Sequence, residues 1–111
     1  MRVNVARNGK KKQRKRGAAP RAPPFGATLT LDLGPGRQWR ARAVVRALAP
    51  EAGRDLPGAQ VSVRPSSGGR AVEIDVEAES LRALRASVNS YLRWATLAID
   101  VSERARAAEE E

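Results

Sequence analysis

The stretch from Glu79 to about Arg106, containing SLRALRASVNSYLRWATLAIDV, constrains the fold more than any other. It is free of Gly and Pro and long enough for a helix of roughly six or more turns. At helical spacing, Leu81, Leu84, Val88, Tyr91, Leu92, Ala95 and Ile99 form one apolar stripe, read as the intramolecular seam. Ala83, Ala86, Ser87, Ser90, Trp94, Leu97, Ala98 and Val101 lie beside it, small at the N-terminal end and bulky at the C-terminal end. Only Arg82, Arg85, Asn89, Arg93, Thr96, Asp100 and Glu103 remain for a polar stripe, too few for a helix lying on the surface of a monomer. Two covers are open for the second face: the rest of the chain, or a partner. The rest of the chain is short, so a partner's helix is the simpler cover.

What precedes this helix supplies a sheet. Residues 27–33, ATLTLDL, alternate strictly, with Leu29, Leu31 and Leu33 on one face and Thr28, Thr30 and Asp32 on the other, as a half-buried strand does. Gly34, Pro35 and Gly36 break it, and RQWRARAVVRALAPEA has helical spacing that Pro50 is expected to end. A loop containing Gly53, Pro57 and Gly58 follows. Val61 and Val63 then alternate with Ser62 and Arg64, and Val72, Ile74 and Val76 with Glu73, Asp75 and Glu77. Flanking Pro65–Gly69, these two runs read as a β-hairpin. The order strand, helix, hairpin, helix predicts an α+β fold, β-α-β-β-α, with a three-stranded, mainly antiparallel sheet carrying two helices on one face. Strand edges are left open to pairing with another chain.

Charge divides the chain into parts. The net charge is +9, but residues 1–24 hold nine Lys or Arg and no acid, whereas residues 25–111 hold twelve Arg and twelve Asp or Glu and sum to zero. Residues 1–24 show no apolar periodicity and are expected to be a disordered basic tail, followed by a domain over 25–106 and an acidic end at 107–111. The cluster Lys10, Lys11, Lys12, Arg14, Lys15 and Arg16 suits RNA backbone or a nuclear-localisation-like address, and a solubilising extension would look the same. No window approaches the length of a membrane span and no signal-peptide apolar region is present. The expectation is a soluble intracellular protein without a membrane partner, cytoplasmic if archaeal and nuclear if eukaryotic.

Catalysis finds little to work with. The chain has no Cys and no His, which removes thiolate nucleophiles, imidazole bases and the metal sites built on either. Glu73, Asp75, Glu77 and Glu79 form a local carboxylate cluster, but period-two spacing puts the first three side by side on a strand face opposite Arg64, as a solvated sheet surface requires. The glycines match no phosphate-binding loop, and Ser87 and Ser90 have no base to activate them. No catalytic residue, metal site or cofactor is expected, and the chain is read as not an enzyme.

Surfaces remain. Arg82, Arg85 and Arg93 have the composition of a phosphate-contacting edge, and equally of a face salt-bridged to Glu79, Asp100 or a partner's acids. Trp39 either extends the apolar patch of Trp94 or belongs to the core.

The run Ser80-Leu81-Arg82-Ala83, followed by Ser87, Asn89, Ser90, Tyr91, Leu92, Arg93 and Trp94, together with Ala47-Leu48 and Pro50-Glu51 closing the first helix, resembles the small Pcc (CTAG/LAGE-like) subunit of the KEOPS complex. That assembly helps install N6-threonylcarbamoyladenosine beside the anticodon of tRNAs reading ANN codons. The resemblance covers roughly residues 27–103 and leaves out the basic tail. It implies two helices on one face of a three-stranded sheet, a homodimer, and a non-catalytic subunit. It also implies docking on helices of the threonylcarbamoyl transferase subunit, indirect contact with other KEOPS subunits, and help in binding tRNA. Under it, Ser87, Ser90, Trp94, Leu97 and Val101 become the face that receives partner helices. The alternative is a free-standing KH-like RNA-binding module, which needs a GxxG loop between two helices, whereas Gly68-Gly69 stands between two predicted strands.

Overall fold

Alternating Leu and Thr in residues 25–32 make a strand whose apolar side chains all fall on one face, and the rest of the architecture covers that face. The computed structural model describes residues 2–7, 23–52 and 57–109. In chain order they form strand β1 (Arg2–Arg7), strand β2 (Phe25–Asp32), helix α1 (Gln38–Ala52), strand β3 (Ala59–Ser66), a single 3₁₀ turn (Ser67–Gly69), strand β4 (Ala71–Ala78) and helix α2 (Leu81–Glu109). The sheet has four antiparallel strands in the order β1-β2-β4-β3. The fold is therefore α+β with both helices on one face, but the expected three strands become four.

The additional strand comes from residues expected to lack structure. β1 pairs with β2 from Arg2 opposite Asp32 to Arg7 opposite Ala27. Composition groups these residues with the basic run behind them, yet Val3 and Val5 alternate with Arg2 and Asn4, a period-two signal short enough to be hidden by the charge. β1 also closes the edge of β2, so β3 and β1 become the outer strands.

Leu29, Leu31, Val72, Ile74 and Val76 are fully buried under the helices, where they meet Val44, Leu48, Tyr91 and Ala95. Removing each such aliphatic side chain from water stabilises the fold by roughly 1.5–3 kcal/mol. α1 lies over β3 and β4, and α2 over β4 and β2. Pro50 does not end α1 but sits in its last turn, where the missing N–H removes one late bond, and the helix continues to Ala52. α2 opens on Ser80, whose Oγ accepts from the Ala83 N–H at 3.0 Å, and it runs past Arg106 to Glu109.

The turn between β3 and β4 needs its glycines. Gly68 and Gly69 have φ of 64° and 91°, in the left-handed region that other residues avoid, and a Cβ on Gly69 would lie 2.8 Å from Gln38 Cγ. This pair shapes a hairpin turn and not a loop between helices, so the GxxG clamp of a KH-like module is not formed by it.

The outer face of the sheet is an ionic lattice. Arg64 pairs with both Glu73 and Asp75, the Thr28 hydroxyl donates to Asp75 at 2.7 Å, and Arg70 grips Asp32 through two N–H groups at 2.9 and 3.1 Å. Glu73 and Asp75 are thus engaged by Arg64, and among the described residues no group of three potential metal ligands occurs.

Candidate docking face and basic edge

The core-facing stripe of α2 follows the expected one with one addition and one loss, Ser87 joining it and Leu81 leaving it. Leu84, Ser87, Tyr91 and Ala95 are buried, Val88, Leu92 and Ile99 are half-buried against the core, and Leu81 in the first turn is exposed. Ser87 is only 8% exposed, so it belongs to the seam beneath the helix and not to an outward face. Its small side chain suits close approach of the helix to the sheet. The Tyr91 hydroxyl is buried without a hydrogen-bond partner among the described residues, and burial together with the charge of Glu51 pushes its pKa up.

The other four residues of the expected docking face share one flank. Ser90 and Trp94 are half-buried, the indole packing edge-on to Tyr91 with ring centroids 5.1 Å apart, while Leu97 and Val101 are 54% and 62% exposed. Length explains much of this exposure. A helix of 29 residues extends about 44 Å. The 8-residue strands extend only about 26 Å, so the sheet cannot cover α2 throughout.

This flank is turned away from α1. The opposite flank carries Glu103, which pairs with Arg40, and Arg106, which stacks on Trp39. Since α1 lies over β3 and β4, the open flank faces the β1 side of the sheet. There the register puts Val3 opposite Leu31 and Val5 opposite Leu29, on the helix-bearing face, and among the described residues β1 packs on β2 alone. Val3 and Val5 are accordingly 39% and 55% exposed. These two valines extend the apolar surface, and their alternation with Arg2 and Asn4 is the one signal in the sequence that locates them.

Arg82, Arg85 and Arg93 are exposed on the polar side of α2, and none is in an ion pair among the described residues. Asp100, a candidate local partner for them, instead meets Arg104 one turn on at 3.3 Å. Lys10, Lys11, Lys12, Arg14, Lys15 and Arg16 lie outside the described residues. Trp39 occupies neither of its expected places: it is half-buried at the start of α1, with the guanidinium carbons of Arg106 and Arg40 at 4.6 and 5.5 Å from its ring. No helix among the described residues is long and apolar enough to cross a membrane.

Over 33 residues the chain is 48% identical to the KEOPS complex subunit Pcc1 of Pyrococcus abyssi (strain GE5 / Orsay). That stretch is 30% of this chain and 40% of the relative's length. The profile of the family described as "Transcription factor Pcc1" matches residues 28–103, which takes in β2 through most of α2 and omits β1 and the basic run. With well over half its length matched, the chain belongs to the Pcc1 family.

Proposed function

We propose that this chain is a non-catalytic subunit of a KEOPS complex. In this reading it supports N6-threonylcarbamoyladenosine formation in tRNA by docking the threonylcarbamoyl transferase subunit, and it dimerises. Family membership and the name of the Pyrococcus relative support the complex, and the open flank of α2 supports the docking. One observation carries the reading: Leu97 and Val101 stand more than half exposed on a long helix, next to a half-buried Trp94 and on the side away from α1. Apolar side chains in such a row match the requirements of a helix-in-groove or helix-bundle contact, where one partner supplies side chains at three- and four-residue spacing.

Arg82, Arg85 and Arg93, in no ion pair among the described residues and on the neighbouring side of the same helix, are the proposed tRNA edge of the domain. Partner helices on the apolar flank would leave this edge in water.

Leu97→Asp and Val101→Asp test the docking. Both side chains are exposed in the isolated domain, so circular dichroism and thermal melting should change little, while co-purification with the transferase subunit should fall at least tenfold, as for loss of central interface residues. Trp94→Glu is a poorer test, because Trp94 also packs on Tyr91. Undiminished co-purification of both variants would refute the docking face. Light scattering of the unaltered chain should give twice the monomer mass, and a monomer at tens of micromolar would refute dimerisation.

A further inference from the structure

The antiparallel helices leave a recess where the start of α1 meets the end of α2. It has a volume of about 370 Å³ and is lined by Arg37, Trp39, Arg40, Glu103, Arg106 and Ala107. Three guanidiniums face one carboxylate there. Glu103 is engaged by Arg40, whose Nε is buried without a hydrogen-bond partner among the described residues. Arg37 is exposed and in no ion pair among the described residues, and Arg106 has only the indole of Trp39, 4.6 Å from its guanidinium carbon. α1 has no acid in its first turn, so the positive end of its dipole adds to the same field. Excess positive charge beside a half-buried indole is the combination that holds a nucleotide, the phosphate by arginine and the base by stacking.

We propose that this recess binds one nucleotide of a single-stranded RNA, with Arg37 and Arg106 on its phosphate and Trp39 under its base. Arg106 covers the indole in the structure, and a base takes that place as the guanidinium moves to the phosphate. Glu103 holds Arg40 against the wall of the recess, its guanidinium carbon 5.5 Å from the ring. The site lies on the α1 side of α2, away from the docking flank, and does not use Arg82, Arg85 or Arg93. It requires neither a transferase partner nor those arginines, so it stands or falls separately from the proposed function.

The chain has two tryptophans, so Trp94→Phe leaves Trp39 as the sole indole reporter. Titrating the full-length Trp94→Phe chain with a short oligoadenylate should quench Trp39 emission saturably. Adding Arg37→Ala, at an exposed position before the helix, should weaken that quenching and lower the slope of log affinity against log salt by about 0.7, the value for one phosphate of a single strand left without its cation. In the chain that keeps Trp94, Trp39→Leu should reduce oligoadenylate affinity, read by anisotropy of the labelled strand, roughly tenfold. Quenching should persist when Arg82, Arg85 and Arg93 are all changed to Ala. Oligoadenylate binding that leaves Trp39 emission unchanged would overturn the proposal, as would equal quenching with Arg37→Ala and Arg106→Ala combined.

Discussion

Among individual residues, Asp75 shows how the outer sheet face is held and when it loosens. Burial raises its pKa, but the Thr28 hydroxyl and the Arg64 guanidinium outweigh that and bring it below the ordinary aspartate value. A carboxylate with a depressed folded-state pKa contributes stability above its unfolded value of about 4, and that contribution is lost as pH falls through the folded value. Because the pair is largely open to solvent, its contribution is small. Asp75→Asn should therefore lower the urea midpoint at pH 7 slightly, and the gap from the unaltered chain should close below about pH 4. A gap that persists unchanged to pH 2 would show that the charge of Asp75 contributes nothing. This pairing is legible in the sequence, because period-two spacing fixes which side chains share a strand face and the glycine turn fixes the register that sets Arg64 opposite Glu73.

Whole elements differ in how well their sequence reports them. The hairpin and both helices stand out because each carries its own periodicity and punctuation. The seam of α2 keeps all but Leu81 of its expected residues and gains Ser87, which hydrophobicity alone could not assign because small side chains flank the seam. Packing brings Ser87 in beside Ala95, where small side chains suit a close helix–sheet approach. β1 escapes a sequence reading for a different reason: two valines are a faint signal, and the strand exists only because β2 offers it an edge. Its ladder bonds, each worth about 1 kcal/mol net, are largely offset by the cost of ordering the segment. Deleting residues 1–7 should therefore cost only about 1 kcal/mol in urea unfolding, but it uncovers the β2 edge and should produce concentration-dependent self-association on gel filtration. A truncated chain as monodisperse and as stable as the full one would show that β1 does not protect that edge.

For the molecule as a whole, β1 changes what the basic run is. Its charge suggests a free tail, but Lys10–Arg16 lies in the connection between two paired antiparallel strands, with Arg7 on one side of it and Pro23 on the other. Removing residues 1–24 to test its part in RNA binding would also remove a strand, and any effect could be misread as one of charge. Changing Lys10, Lys11, Lys12, Arg14, Lys15 and Arg16 to Gln preserves chain length and the β1–β2 pairing while discharging the run. Each duplex phosphate that the variant no longer neutralises should reduce the slope of log affinity against log salt by about 0.9. If the run carries the electrostatic part of tRNA binding, discharging it should flatten the salt dependence by several units and weaken binding at low salt, while thermal melting stays put. If the slope is unchanged, the phosphates are held by the arginines of the folded domain, whose charges otherwise balance.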